Sequence, residues 1–346
     1  MSDVTLTVGG QRYSGWTQLQ MTRGIAQIAG GYELSVTERW PGLSTPRPIK
    51  PGLVAVVAIG GQTIIRGYID VVAPNYDAQS HTLTVSGRDA TGDLVDCAAI
   101  HKPGTWRNRT LAQIASDLTD PFGVPLKVET DVGKPFPTWS IEPGEKVVDN
   151  LDRMARQRGV LLMSDGLGHL LITQPGQYQA PVALVLGKNI MSARGHASCE
   201  ERFSKYIVQA QQLGDDDISG ADAAGPSGSA IDPGVTRYRP TVIMSEDQAD
   251  AAGCKVRAAW QRTVRAAKAR SIVYTVGGWL AEGKPWQPNA LVAVQDSFMG
   301  INDTRLIAQV DFFLDDQGER TELTVVGRHA FDVLATPQAS AHGGLF

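Results

Sequence analysis

The sequence predicts a mainly β, multi-domain protein with α+β insertions, and three observations carry that reading. The chain has 346 residues and 42% hydrophobic content, enough for several domains with real cores. Apolar residues alternating with Thr, Ser and Gln recur at both ends of the chain, the period-two signature of half-buried strands. Helical spacing is confined to three segments in between.

Val4 to Val8 alternates with threonines, Gly9-Gly10 turns, and Arg12 to Leu19 can pair back with Trp16 and Leu19 as apolar positions. Gly30-Gly31 precedes a further strand, Tyr32 to Thr37, and Pro41, Pro46, Pro48 and Pro51 mark a surface loop. Leu53 to Ile59 and Thr63 to Val72 form a hairpin about Gly60-Gly61. The strand from His81 to Ser86 is expected to break in a left-handed turn at Gly87, before Arg88 and Asp89, with Leu94-Val95 starting the next element. Residues 1–97 therefore read as an all-β unit, a barrel or a sandwich.

After the break at Lys102-Pro103-Gly104, Leu111, Ile114, Ala115 and Leu118 form one stripe of a helix that stops before Pro121. Val147, Val148, Leu151, Met154 and Ala155 share the face of a second, which Gly159 ends. Val160 to Met163 and His169 to Thr173 flank the hairpin signal Asp165-Gly166-Leu167-Gly168, so residues 98–178 read as a small α+β domain. Strands resume at Val182 to Leu186 and Phe203 to Gln211. Gly214 to Gly234, acidic and rich in glycine, reads as a solvated excursion.

Ser245-Glu246-Asp247-Gln248 has capping-box form and opens the longest helical pattern, which reaches about Arg270. Ser271 to Val276, Leu291 to Val294, Arg305 to Leu314 and Thr321 to Val326 complete the chain as strands, the last two joined at Asp315-Asp316-Gln317-Gly318. The expected map is then 1–97, 98–178, a second β domain from 179–244 with 287–346, and a helix-containing insertion at 245–286.

Composition excludes more chemistry than it suggests. A net charge of −4 from 32 basic and 36 acidic residues leaves no overall footprint for nucleic acid. Lys255, Arg257, Arg262, Arg265, Lys268 and Arg270 spread around the last helix without interleaved aromatics, which favours a solvated or protein-facing surface. Cys97, Cys199 and Cys254 lack metal-ligand spacing and suggest reduced thiols in a protein folded in a cytoplasm. The N-terminus lacks the pattern of a secretory signal, and no apolar run approaches the roughly 20 residues of a membrane span, so direct membrane insertion is not expected. Asp215-Asp216-Asp217 lacks the interleaved ligands of a calcium loop. There is no nucleophile elbow, no zinc-protease helix and no dinucleotide fingerprint, and His81, His101, His169, His196, His329 and His342 are scattered. Glu142 and Glu145 could pose as a glycosidase pair, yet they straddle Pro143-Gly144 at a helix start, where acids suit the dipole. No catalytic, cofactor-binding or metal residue is assigned, and no cofactor is expected.

Gly67-Tyr68-Ile69-Asp70, Ser86-Gly87-Arg88-Asp89 and Asp93-Leu94-Val95-Asp96-Cys97, with Val276-Gly277-Gly278-Trp279, Gly283-Lys284-Pro285-Trp286 and Pro288-Asn289 near the other end, resemble the Mu-like phage baseplate hub proteins, relatives of which occur in other contractile tails and in tailocins. The resemblance covers residues 1–100 and 181–340 well. It implies two tube-like β-barrel domains with smaller α/β domains, and a structural virion protein rather than an enzyme. It further implies a homotrimeric ring in the tail baseplate, assembled in the host cytoplasm, that joins a sixfold tail tube to a threefold spike and contacts other baseplate proteins. DNA would pass through as cargo. Two other classes remain open at this point: a tail-associated peptidoglycan hydrolase, and a carbohydrate- or receptor-binding β protein.

Overall fold

The computed structural model describes residues 3–37, 49–77, 81–210, 225–245 and 250–335. Its first unit contains β1 (Val4–Val8), β2 (Gln11–Tyr13), β3 (Gln18–Gly24), β4 (Gly31–Thr37), β5 (Val54–Ile59), β6 (Gln62–Tyr76) and β7 (His81–Asp89). They pair antiparallel in the order β3-β4-β7-β6-β5-β1-β2. The alternation does what the pleat requires: Leu83 and Val85 of β7 are buried, while Thr82, Thr84 and Ser86 lie on the other face.

The expected turn at Gly87 is a correction, because β7 runs on through Gly87 to Asp89. Glycine is needed there for proximity, since a Cβ would stand 2.0 Å from the Tyr68 carbonyl oxygen. The chain turns directly after β7, at Ala90-Thr91, into α1 (Gly92–Asp96).

The next unit holds β8 (Thr105–Arg109), α2 (Leu111–Thr119), β9 (Leu126–Val128), β10 (Phe136–Ser140), α3 (Val147–Arg158), β11 (Leu161–Ser164) and β12 (Leu170–Thr173). Both expected helices are present. Thr110 and Gln113 make a reciprocal capping box on α2, and Gly159 closes α3 in the left-handed region at φ 62°. Their apolar stripes meet Trp106, Phe136 and Trp139 in one core. β11 and β12 form the expected hairpin, and β9 joins β12 in parallel.

The remaining elements are β13 (Tyr178–Gln179), β14 (Leu184–Val185), β15 (Ile190–Ala197), β16 (Lys205–Gln209), β17 (Ser227–Ile231), β18 (Pro240–Met244), α4 (Ala251–Lys268), β19 (Arg270–Gly277), β20 (Leu280–Ala281), β21 (Lys284–Pro285), β22 (Ala290–Asp296), β23 (Ile301–Asp315) and β24 (Gly318–Gly327). Four of them pair as β15-β19-β24-β23, with β22 on the first half of β23. β16, expected with the second barrel, pairs instead with β17 and β18, and α4 packs on them around Tyr206, Val208, Cys254 and Ala258. β19, expected within the insertion, belongs to the large sheet.

Two further expectations change. The excursion from Gly214 to Gly234 contains β17, whose Ser-Gly-Ser-Ala-Ile sequence has loop composition but completes the sheet under α4; residues 211–224, including the aspartate run, lie outside the described residues. Helix α4 starts at Ala251, not after Ser245: Asp250 caps it by accepting from the Gly253 N–H at 2.7 Å. Ser245 instead extends the sheet, its N–H donating to the Gln209 carbonyl at 2.7 Å, and 246–249 lie outside the described residues.

Neither β-rich half closes into a barrel among the described residues. Both belong to one sheet, ordered β15-β19-β24-β23-β3-β4-β7-β6-β5-β1-β2, and share a core that includes Leu34, Ile65, Tyr274 and Phe312.

Candidate functional site

The two halves meet where β23 pairs antiparallel with β3, from Gln309 opposite Gly24 to Leu314 opposite Leu19. Met21 and Phe312 face each other across this seam and are fully buried. On the opposite face the Thr22 hydroxyl donates to the Asp311 carboxylate at 2.6 Å, and the Gln309 amide donates to the same carboxylate at 2.8 Å. The seam therefore has a dry side and a hydrogen-bonded side.

The halves are also copies of one another. The order β3-β4-β7-β6-β5 in the first reappears as β15-β19-β24-β23-β22 in the second. Registers correspond as well as order. Tyr68 lies opposite both Val54 and Arg88, as Leu306 lies opposite Leu291 and Val326; Gly31 lies opposite Thr22 and Arg88, as Ser271 lies opposite His196 and Val326. Strands β6 and β23 are both 15 residues long, and each bulges against its partner just past the middle, between Ile69 and Val71 and between Ile307 and Gln309. Equivalent residues lie more than 170 positions apart, beyond any local pattern, so the repeat was expected only through the resemblance, which implies two tube-like β domains.

The residues of the first motif group hold the sheet to the α+β unit. Arg88 bridges Asp70 at 3.0 Å and Asp96 at 2.6 Å, and these carboxylates raise its pKa further. Asp89 is buried and accepts from the Gly30 N–H at 2.7 Å and the Thr91 N–H at 2.9 Å, although burial pushes its carboxyl upward. Arg23 donates to the Asp165 carbonyl, and the Arg66 N–H donates to the Gly166 carbonyl at 2.7 Å, so the Asp165-Gly166-Leu167-Gly168 turn is docked on the first sheet. The group is architectural.

Glu142 and Glu145 do not make an acid-base pair. Burial acts to raise the Glu145 carboxyl, but hydrogen bonds from Arg153, the Glu142 N–H and Asn150 outweigh it and hold the group below the usual range, where a general acid needs the reverse. Arg265 pairs with Glu201, Lys268 lies over the Phe331 ring and Arg270 donates to the Met299 carbonyl, so these members of the basic set bind protein groups. His81 neighbours Tyr76, His101 stacks on Trp106, His169 and His329 pair with Asp165 and Asp332, and His342 lies outside the described residues. Cys97 and Cys199 are exposed and Cys254 buried, all as free thiols. Among the described residues no cluster of His, Cys, Asp or Glu is arranged to hold a metal, and no helix is long and apolar enough to cross a membrane.

Three family models match the chain: the N-terminal domain of Mu phage baseplate assembly protein GpP-like over residues 3–89, the second domain of baseplate hub protein gp44-like over 91–174, and the fourth domain of Mu phage baseplate assembly protein GpP over 250–334. The sequence is 36% identical over 338 residues to baseplate hub protein gp44 of Escherichia phage Mu, covering 95% of this chain and 88% of that protein. The fold is similar to that of the 43 kDa tail protein of prophage MuSo2 from Shewanella oneidensis, at 39% identity and a TM-score of 0.87, covering 96% of this chain and 100% of that one. A tail protein from Neisseria meningitidis MC58 shares the fold at 24% identity and a TM-score of 0.78, covering 96% and 99%.

Proposed function

The chain belongs to the Mu-like phage baseplate hub family, and from that premise we propose that it builds a homotrimeric ring joining a sixfold tail tube to a threefold spike around a central channel. The observation that carries this reading is the internal repeat with its β3–β23 seam. Two equivalent units per chain, joined head to tail, can present a nearly sixfold face from three chains. A head-to-tail contact that closes makes a ring, and one that does not makes a filament. The accessory elements are not repeated, so the same ring is only threefold wherever they project.

The reading assigns the chain a structural role with no catalytic step. It places it in the virion baseplate after assembly in the host cytoplasm, in contact with spike, tube and other baseplate proteins, with DNA as cargo. It also suggests a domain map: a first β unit to about residue 97, an α+β unit to about 178, a second β unit built around β15, β19 and β22 to β24, and a small unit of β16 to β18 with α4. The test is mass in solution by light scattering, with electron-microscopic class averages of the same sample. A trimer with a central hole supports the hub, and a monomer at every concentration overturns it. Clearing of peptidoglycan in a gel would favour a hydrolase, and saturable glycan binding a receptor-binding protein.

A further inference from the structure

The repeat leaves one seam made and one unmade within a single chain. β23 is covered along its second half by β3, but among the described residues no strand lies beyond the equivalent half of β6, because the β5 ladder reaches only to Tyr68. β15, the equivalent of β3, is the terminal strand of the sheet among the described residues, and its ladder there is with β19. Building on the trimeric reading above, we infer that β15 of one copy pairs antiparallel with the second half of β6 of the next copy, in the register of the internal seam, with His196 opposite Ala73.

The register follows from the correspondences already described. Thr22 lies opposite Asp311 in the internal seam; Thr22 is equivalent to His196, and Asp311, opposite Glu322 as Ala73 is opposite Thr84, is equivalent to Ala73. The exposed surfaces fit that assignment. Val310 and Phe312 are fully buried under β3, whereas on β6 Pro74 is exposed and Tyr76 is 78% exposed. Along β15, Gly195 and Ala197 are exposed, while their counterparts Met21 and Arg23 are covered. An eight-residue strand with a free edge is a template for another strand.

Side-chain size says which strand. In this register the core-facing Val72, Pro74 and Tyr76 meet Ala197, Gly195 and Ala193, large against small at each step, and Pro74 meets a glycine. On the other face Asn75 meets Arg194, an amide oxygen against a guanidinium that already pairs with Glu322 at 2.7 Å. Self-pairing is less favourable. β15 against β15 about Gly195 sets Arg194 against His196, and β6 against β6 sets bulky side chains against each other. The edge thus selects the head-to-tail partner that a ring requires.

Disulfide trapping tests the register. In full-length protein with Cys97→Ser and Cys199→Ser, the pairs A73C with H196C and V72C with A197C are aligned, and A73C with R194C is displaced by one repeat of the pleat. Consecutive aligned pairs sample both spacings of an antiparallel ladder, and one of them is within disulfide reach. The expected result under mild oxidation is a band at three times the 37.1 kDa chain from an aligned pair and none from the displaced pair. A trimer by mass in which neither aligned pair bridges, or in which the displaced pair bridges equally, overturns the ladder and leaves the hub standing. A monomer under all conditions overturns both.

Discussion

Gly87 lies against Tyr68 so closely that a Cβ on it would stand 2.0 Å from the Tyr68 carbonyl oxygen and 2.8 Å from the Tyr32 hydroxyl. Tyr32 in turn donates to that same Tyr68 carbonyl at 3.0 Å. Three strands are thus tied at one point, where β7 is held between β4 and the bulge of β6.

Gly87→Ala is therefore expected to cost about 1–3 kcal/mol, and Gly87→Val more, because the added carbon must push backbone rather than a flexible side-chain tip. Thermal melting of the two variants checks the order. A Gly87→Ala protein as stable as the parent would show that the strands accommodate the added carbon and that close approach does not require glycine there.

How far the sequence reached this far depends on the range of each signal. A strand with clean alternation, Val4–Val8, an apolar run closed by a Gly60-Gly61 turn, Val54–Ile59, and a helix with an apolar stripe and a glycine stop, Val147–Arg158, were legible because these signals are local. Strand β15 was not, since Arg194, Gly195 and His196 interrupt any alternation along an edge where only Ile190 and Ala193 are half-buried. Strand β17 was hidden by its small polar residues. The seam between β3 and β23 could not be read at all: Thr22 and Asp311 are 289 residues apart, and no spacing rule links them.

Gly228 makes β17 as sensitive to volume as β7. A Cβ there would stand 2.2 Å from the Lys255 amide nitrogen, so the first turn of α4 rests on this glycine. Gly228→Ala should cost about 1–3 kcal/mol. Deleting 225–234 should also destabilise the unit, because it removes the strand that pairs with β16. Urea unfolding of the two variants checks both outcomes.

The same unit should be acid-sensitive through Asp232. Arg202 donates to its two carboxylate oxygens at 2.6 and 2.9 Å, and the Gly234 N–H donates at 2.9 Å. The Arg202 contacts hold this carboxyl below its ordinary value. A carboxyl with a lower pKa folded than unfolded adds stability that is present above the unfolded value, about 3.9, and is lost as pH falls through the folded value. Asp232→Asn should cost about 1.5–3 kcal/mol at pH 7, the worth of hydrogen bonds to a charged group, and the gap from the parent should shrink as pH falls below the unfolded value of about 3.9. A gap that stayed constant with pH would mean that the charge of Asp232 is not what stabilises the turn.

The turn between β22 and β23 separates structural from surface roles within three residues. Asp296 is buried; it accepts from the Tyr274 hydroxyl and from the N–H groups of Phe298 and Met299, each at 3.0 Å. Phe298 itself projects outward, 86% exposed, on a backbone fixed from below. Asp296→Ala strands three donors, one of them a buried tyrosine hydroxyl, and should cost about 2–4 kcal/mol, since each unsatisfied buried group loses its desolvation free energy. Phe298→Ser removes only exposed surface and should leave stability within about 0.5 kcal/mol of the parent. The repeat sharpens the contrast: the equivalent turn in the first half is the two-residue Gly60-Gly61, so only one unit of each pair carries such an aromatic. Parallel melts of the two variants decide the matter. If Phe298→Ser fell as far as Asp296→Ala, the aromatic would be packing against the chain and not standing free of it.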